Sequence, residues 1–251
     1  MIRFALVALC LIWALWLLGI WANIAAVGFL VSLGHVLVGV ALSRIRVNDG
    51  LDIQRFLRWL GVSLVLLGVA DACWNLVFPG GQANLGDTLW ILLIFVGAAM
   101  VGAWASLDFY ISLRGLFGYP RSWVWIPISV GLVVGVWSYW LGASELSGYS
   151  WGDLWAFWLN VILGVLGAFT AAIVVGMALS TWGGSFFRWT APAGGGLFLL
   201  VISNMAYVDV GEAYAVGSLS DWLCLLGTSV FFVYFLWDMD LLGRRLGSAN
   251  D

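Results

Sequence analysis

The sequence is a succession of apolar runs, separated by short segments that contain Gly, Pro, Asn and Arg. A helix needs about 20 apolar residues to span a bilayer's hydrocarbon core, which is roughly 30 Å thick, and the runs have about that length. Hydrophobic side chains make up 63% of the chain and charged ones 9%. Soluble domains carry about 45–50% apolar and about 25% charged residues. We therefore predict an all-α, polytopic integral membrane protein.

Division at the polar breaks gives eight predicted transmembrane helices. They are 4–22, 24–42, 57–78, 89–110, 123–141, 154–180, 189–208 and 222–237. One helix over 4–42 would be about 58 Å long at 1.5 Å per residue, so a hairpin at Asn23 fits better. Two alternatives stay open: seven spans, with the first two as one, and a signal peptide that begins at Arg3. No soluble domain interrupts the pattern, which predicts a single transmembrane domain over 1–251.

The arginines predict the orientation, because Lys and Arg are retained on the cytoplasmic side of a membrane. With eight spans, all ten basic residues fall on one side, and all of them are arginine. We therefore expect the plasma (inner) membrane of a prokaryote, with both termini cytoplasmic. With seven spans the N-terminus would lie outside.

Several cofactor classes are excluded by composition. A retinal Schiff base needs a lysine, and the chain has none. His35 is the only histidine, so a bis-histidine haem cannot form. Cys10, Cys73 and Cys224 lie in separate apolar runs without a C-x-x-C motif, which predicts small core residues rather than a metal or redox site. No cofactor or metal is predicted, and a net charge of −3 without a basic cluster argues against nucleic acid as a partner.

The two halves of the chain resemble one another. The matching segments, in chain order, are 36–43 with 173–180, Arg58-Trp59 with Arg188-Trp189, and Asp71 with Asn204. They predict a tandem parallel repeat of a three- or four-helix unit, with halves of about 1–118 and 119–251 related by a pseudo-twofold axis along the membrane normal. The alternative is that both halves follow the same preferences for residues at membrane interfaces.

Asp71 is the leading candidate for a functional residue. It lies two thirds of the way along the third predicted span, with Asn75 on the same helix face. An ionisable side chain at that depth costs a few kcal/mol unless it is paired, so it faces the protein interior or a water-filled cavity. A structural hydrogen bond to a neighbouring helix is the alternative. The predicted ligand-binding residues of a polar, Trp-lined pocket are Asp71, Trp74, Asn75, Trp158, Asn160, Asn204 and Tyr207, with Ser203 at a similar depth.

The remaining polar residues favour structural roles. We interpret His35 as an interhelical hydrogen-bonding residue rather than a proton carrier. Asp108, Asp238 and Asp240 lie near Arg114, Arg244 and Arg245 and are predicted to form surface or interhelical ion pairs. Asp87, Asp153 and Asp221 each precede an apolar run, which is typical of helix caps.

The function that these features favour is non-catalytic: binding or transport of a small molecule or lipid between the two repeats. The alternative is an accessory subunit or sensor component of a larger membrane complex. An enzyme acting on a lipid or isoprenoid is favoured less, because no D-x-x-x-D, H-x-x-x-H or G-x-G-D pattern supplies a second reactive group. The expected partners are the lipid bilayer, and other membrane subunits or further copies of the chain.

Overall fold

The structure, a computed structural model, describes eleven stretches of the chain. They are residues 2–22, 28–44, 53–78, 88–117, 125–143, 151–180, 191, 194–200, 202–203, 219 and 221–230. Their regular secondary structure is entirely helical, so the predicted all-α class is confirmed for this part of the chain. The helices are α1 (Ile2–Trp21), α2 (Gly28–Arg44), α3 (Ile53–Val77), α4 (Leu89–Phe117), α5 (Trp125–Ala143), α6 (Trp151–Ser180), α7 (194–200 and 202–203) and α8 (221–230).

Three of these helices are long and apolar enough to cross a membrane. The qualifying stretches are Ile53–Val77, Leu89–Ser112 and Asp153–Leu179. Shorter apolar helices cover Val7–Trp21, Gly28–Arg44 and Trp125–Trp140. The number of spans, the orientation and the position of the termini stay predictions.

The first two apolar runs form separate helices. α1 ends at Trp21, the Ala22 backbone amide donates to the Leu18 carbonyl at 2.9 Å, and α2 begins at Gly28. The two helices contact each other. The break agrees with the predicted hairpin rather than with one long helix, while Asn23 itself lies outside the described residues.

Some helix ends differ from the predicted spans. α3 begins at Ile53, four residues before the predicted start at Leu57, and α4 continues to Phe117 beyond the predicted end at Tyr110. Helix ends depend on where the backbone hydrogen bonds stop, whereas the predicted spans are bounded by the apolar length needed to cross a bilayer. The polar turns that lie beyond the apolar runs therefore stay helical.

The helices pack in an order different from their order in the chain. Successive contacts join α1 to α2, α2 to α3, α3 to α4 and α4 to α6, while α5 packs on α6. Gly194 of α7 lies against Val175 of α6, and Gly227 of α8 lies against the backbone of α7. The indole of Trp13 in α1 donates to Ser229 Oγ in α8 at 2.7 Å. Contacts among the described helices therefore return from α8 to α1, with α5 outside this circuit.

Glycines allow α2 and α3 to approach closely. A Cβ atom on Gly39 would lie 2.5 Å from the backbone oxygen of Gly61, and one on Gly61 would lie equally close to the oxygen of Gly39. Nearer the candidate site, a Cβ on Gly68 would lie 2.7 Å from the Ser32 oxygen and 3.0 Å from His35 Cβ. Small residues let the backbones of membrane helices pack in this way.

The apolar core lies where α3 meets its neighbours. Phe56 of α3 stacks on Phe109 of α4 with ring centroids 4.6 Å apart. The buried members of this cluster are Leu9, Val38, Ala41, Leu42, Ile53, Phe56, Leu57, Leu60, Leu64, Ala105, Phe109, Tyr110, Ile173, Val174 and Met177. The core therefore includes side chains from α1, α2, α3, α4 and α6.

A bidentate ion pair joins α3 to α4. Arg55 Nη2 donates to Asp108 Oδ1 at 2.7 Å, and Arg55 Nε donates to Oδ2 at 2.8 Å. The structure shows an ion pair at Asp108, as predicted, and its described partner is Arg55 on the neighbouring helix, while the Arg114 side chain lies outside the described residues. The predicted pairs of Asp238 and Asp240 lie outside the described residues.

The three predicted helix caps have different outcomes. Asp153 does not precede its helix as predicted, because α6 begins at Trp151; it lies in the first turn, where a carboxylate suits the helix dipole. Asp221 is the first described residue of α8, and Asp87 lies outside the described residues.

The predicted repeat stays a prediction, because Asn204 and most of its surroundings lie outside the described residues.

Candidate functional site

Asp71 lies on α3 and faces α2. Its carboxylate Oδ2 is 3.1 Å from Nδ1 of His35, and about a quarter of the Asp71 side chain is exposed (24%). The approach of the two helices at Gly68, three residues earlier on α3, brings these side chains together. The sequence-based expectation that Asp71 faces a polar partner inside the bundle agrees with this contact.

His35 lies at the centre of the site and is completely buried. Its Nε2 is 3.6 Å from Sγ of Cys224 on α8. Its Nδ1 is close to Asp71, but it has no hydrogen bond of good geometry among the described residues. The two groups are therefore close but poorly aligned, which leaves an incomplete hydrogen bond. His35 does connect helices as predicted, but it is not fully satisfied.

The prediction that the cysteines are small core residues is wrong for Cys10, which is exposed. Cys73 and Cys224 are partly buried, and Cys224 packs against a buried apolar cluster. Cys224 lies within the first turn of the described part of α8, and Leu225 beside it packs against Trp16 and Val31. This packing of α8 on α1 and α2 places the Cys224 thiol next to the His35 imidazole.

The three side chains form a compact group, which we call the His35–Asp71–Cys224 cluster. One possible ligand atom from each residue lies within 4.8 Å of the other two. The Asp71 carboxylate contacts one nitrogen of the imidazole at 3.1 Å, and the Cys224 sulfur contacts the other at 3.6 Å. If the two groups lay at opposite ends of the ring, the distance from sulfur to carboxylate would exceed the sum of these contacts. The distance is at most 4.8 Å, so all three residues surround one common position.

Two further buried polar atoms lie on the segments that surround the cluster. Ser32 Oγ and Trp16 Nε1 have no hydrogen-bond partner among the described residues. Ser32 is one helical turn before His35, and Trp16 belongs to the same apolar packing group as Cys224. Buried polar groups are usually paired with protein, water or ligand. These orphaned atoms therefore favour a site that holds something besides the protein's own side chains.

Asn75 and Trp74 lie one turn beyond Asp71. Asn75 Nδ2 donates to the Asp71 carbonyl at 2.8 Å, and its amide lies against Gly28 at the start of α2. The Trp74 ring packs at a tilt on Phe78, with centroids 5.2 Å apart. Asn75 therefore connects the start of α2 with the Asp71 turn.

The other predicted pocket residues separate into two groups. Asn160 Nδ2 donates to the Ala156 carbonyl at 3.2 Å within α6, and Trp158 stacks on Tyr139 of α5 with centroids 5.6 Å apart. No described contact joins either residue to Asp71. Ser203 is buried, while Asn204 and Tyr207 lie outside the described residues.

Sequence analysis identified Asp71 but missed His35 and Cys224 as its partners. His35 and Cys224 are 189 residues apart in the chain, so no local motif connects them. A single histidine and an isolated cysteine are each ordinary in an apolar helix. The only sequence feature that pointed to His35 was its position, as a polar residue near the middle of a predicted span.

Comparison with known proteins adds no assignment for this site. No protein-family model matches the chain, and no curated protein or solved structure is significantly similar to it. The chemistry of the cluster is therefore the basis for a functional interpretation.

Proposed function

We propose that this chain is a multi-pass integral membrane protein that binds or transports a small molecule or ion, and that the His35–Asp71–Cys224 cluster is its binding site. The observation that carries the proposal is the 3.1 Å contact between the Asp71 carboxylate and the fully buried His35. The proposal keeps Asp71 as the central residue and adds two partners that the sequence did not connect with it.

The outer surface of the helices supports a lipid environment. Large apolar side chains face outward on several helices, including Leu18 at 60% exposure, Val136 at 69% and Trp140 at 66%. In water such surfaces would drive association, whereas in a bilayer they contact acyl chains. Exposed tryptophans at helix ends, such as Trp21 and Trp151, suit the interface between lipid and water.

The energetic cost of the cluster supports a role in binding. Ionisable side chains inside a membrane protein are expensive and are typically found along substrate and ion pathways. If stability were the only requirement, well-packed apolar residues would serve at least as well as a buried ionic pair. The contact of His35 with Asp71 is also poorly aligned, so a bound species would improve the interactions of both groups.

The position of the cluster supports access from one end of the bundle. Asp71 is partly exposed, and Cys224 is near the start of the described part of α8. Arg55 lies near the opposite end of α3, about 24 Å from Asp71 at 1.5 Å per residue. Under the predicted orientation, Arg55 is at the cytoplasmic end and the cluster is in the outer half of the membrane.

Native mass spectrometry tests this proposal directly. The protein is extracted from its own membrane in mild detergent, and retained small molecules and metals are identified in the same sample. We expect the wild-type chain to retain a bound species and Asp71→Asn to retain about tenfold less, because the substitution removes the carboxylate charge at nearly constant volume. The matched control is Asp108→Asn, which changes a carboxylate that is already paired with Arg55.

Two outcomes would contradict the proposal. Equal retention by wild type and Asp71→Asn would remove the cluster as the binding site, provided that both proteins elute as intact species. Migration with other subunits at a fixed stoichiometry, without a retained small molecule or ion, would favour the accessory-subunit alternative instead.

A further inference from the structure

We infer that the His35–Asp71–Cys224 cluster binds a divalent transition-metal cation of the zinc type. The inference rests on the proposed function, because it names the ligand of the same site. It starts from the common position that the three side chains surround, with candidate ligand atoms within 4.8 Å of one another.

The contact between His35 and Cys224 already has the spacing of two zinc ligands. Zinc binds sulfur at about 2.3 Å and imidazole nitrogen at about 2.0–2.1 Å, so a tetrahedral angle separates these atoms by about 3.6 Å. The Nε2 to Sγ distance is 3.6 Å. A cation can therefore bind both atoms without movement of α2 relative to α8.

Asp71 supplies a third ligand after a small adjustment. Carboxylate oxygens bind zinc at about 2.0–2.2 Å, which places them about 3.3–3.6 Å from the other two ligands in a tetrahedral site. The Cys224 sulfur and a carboxylate oxygen of Asp71 lie within 4.8 Å of each other, so the carboxylate approaches the sulfur by about 1 Å or slightly more and turns from the Nδ1 side of the imidazole toward the Nε2 side. Rotation of a partly exposed aspartate side chain achieves such a shift while α3 stays in place.

The chemical identity of the ligands selects the kind of cation. Thiolate and imidazole suit zinc and related transition metals, whereas magnesium and calcium require oxygen ligands. Three protein ligands also leave a fourth position of a tetrahedral zinc ion for water or an entering ligand. Structural zinc sites are usually closed by four protein ligands, so an open position favours exchange over permanent retention.

Charge balance explains why this ligand set suits a membrane interior. A thiolate and a carboxylate carry two negative charges, which a divalent cation offsets while the imidazole stays neutral. The three ligands and the cation together therefore carry no net charge. Neutrality matters because net charge in a low-dielectric interior is costly.

Cobalt(II) is a suitable probe, because its spectrum reports the thiolate ligand. The purified full-length chain is titrated with Co²⁺, and the thiolate-to-cobalt charge-transfer band is followed before and after Zn²⁺ is added. We expect the band to appear with about one Co²⁺ per chain and to disappear when Zn²⁺ displaces the cobalt, because a thiolate ligand favours zinc. Mg²⁺ should not displace it.

Variants identify the ligands. Cys224→Ser should abolish the charge-transfer band, while Cys73→Ser, which alters another partly buried cysteine, and Cys10→Ser should leave it unchanged. Asp71→Asn and His35→Gln should retain the thiolate but weaken Co²⁺ binding about tenfold or more. Circular dichroism and gel filtration verify that each variant is folded, and Asp71→Asn keeps the test decisive if Cys224→Ser does not fold.

The outcomes separate this inference from the proposed function. A thiolate band that depends on Cys224 supports both. If wild type shows no band, or if Cys224→Ser keeps it, the metal inference is overturned. If an organic compound is retained by wild type and lost in Asp71→Asn while no band forms, the binding function stands and only the ligand class is wrong. If neither metal nor compound is retained, both fail.

Discussion

At the scale of single residues, the chain combines ordinary side chains into an unusual environment. Asp71 and His35 are brought within 3.1 Å of each other by two helices, and Cys224 approaches the other nitrogen of the same imidazole. Taken alone, each of these three residues is explained by a structural role, as a hydrogen-bonding group or as part of the packing between helices. Their convergence on one position, beside the orphaned Ser32 and Trp16 atoms, is what favours a ligand.

Metal affinity should depend on pH. A metal-bound cysteine is a thiolate and a metal-bound imidazole is neutral, so protons compete with the cation for these ligands and the affinity falls as the pH falls. Competition titrations with a zinc chelator at several pH values measure this dependence. An affinity that does not change with pH would contradict coordination by Cys224 and His35.

Loss of the Arg55–Asp108 ion pair should have a modest effect. The Arg55 side chain is 50% exposed and that of Asp108 22% exposed, so solvent or lipid headgroups screen much of their attraction. We expect Asp108→Asn to lower the free energy of unfolding by about 0–1 kcal/mol and to leave Co²⁺ binding unchanged. Thermal unfolding of both proteins in the same detergent, followed by the Co²⁺ titration, measures this. A large loss of cobalt binding would show that the two ends of α3 are coupled.

At the scale of helices, close packing of α2 on α3 forms the scaffold of the site. The contact at Gly39 and Gly61 brings the two backbones together, and Gly68 maintains this approach next to His35. The same glycines lower the intrinsic stability of each helix relative to alanine. The stabilising effect of these glycines is therefore the close packing between α2 and α3. The same packing determines the distance from Asp71 to His35.

Replacing Gly39 or Gly61 by alanine should destabilise the protein. A Cβ at either position would meet the backbone of the other helix at 2.5 Å, so the helices must separate. We expect a loss of about 1–3 kcal/mol, as is typical of overpacking. Thermal unfolding monitored by intrinsic tryptophan fluorescence measures it. Gly97→Ala is the matched control, since no atom of the described residues lies within 4 Å of a Cβ there, and it should be neutral or slightly stabilising. Equal effects at Gly39 and Gly97 would contradict the packing argument.

At the scale of the whole molecule, the last described helix completes the site. α8 returns to α1 through Trp13 and Ser229 and delivers Cys224 to a pair of residues from the first third of the chain. Three rings, those of Trp13, Trp16 and Trp222, pack together at this junction, with centroids 4.7 to 5.9 Å apart. Aromatic packing of this kind adds to the stability of the closure beyond the area that it buries.

The membrane topology can be measured with introduced cysteines. In a variant that lacks the three native cysteines, Ala22→Cys at the end of α1 should react with a membrane-impermeant maleimide applied to intact cells. Ser43→Cys at the end of α2 should react only after permeabilisation. Under the predicted topology, α1 and α2 each cross the membrane, so these two positions lie at opposite surfaces with the arginine-rich side inside. Failure of Ala22→Cys to react in intact cells, with reaction after permeabilisation, would contradict the predicted orientation.

The sequence by itself determined the helical class and the approximate helix positions, and it predicted Asp71 as a functional residue. These properties depend on local patterns: the length of apolar runs, the polar breaks between them, and the cost of an ionisable side chain within one of them. Only the tertiary structure decided which residues meet Asp71. His35 and Cys224 are 189 residues apart, and their contact depends on the packing of α2, α3 and α8. Side-chain contacts between distant helices arise from shape and packing, which no local pattern encodes.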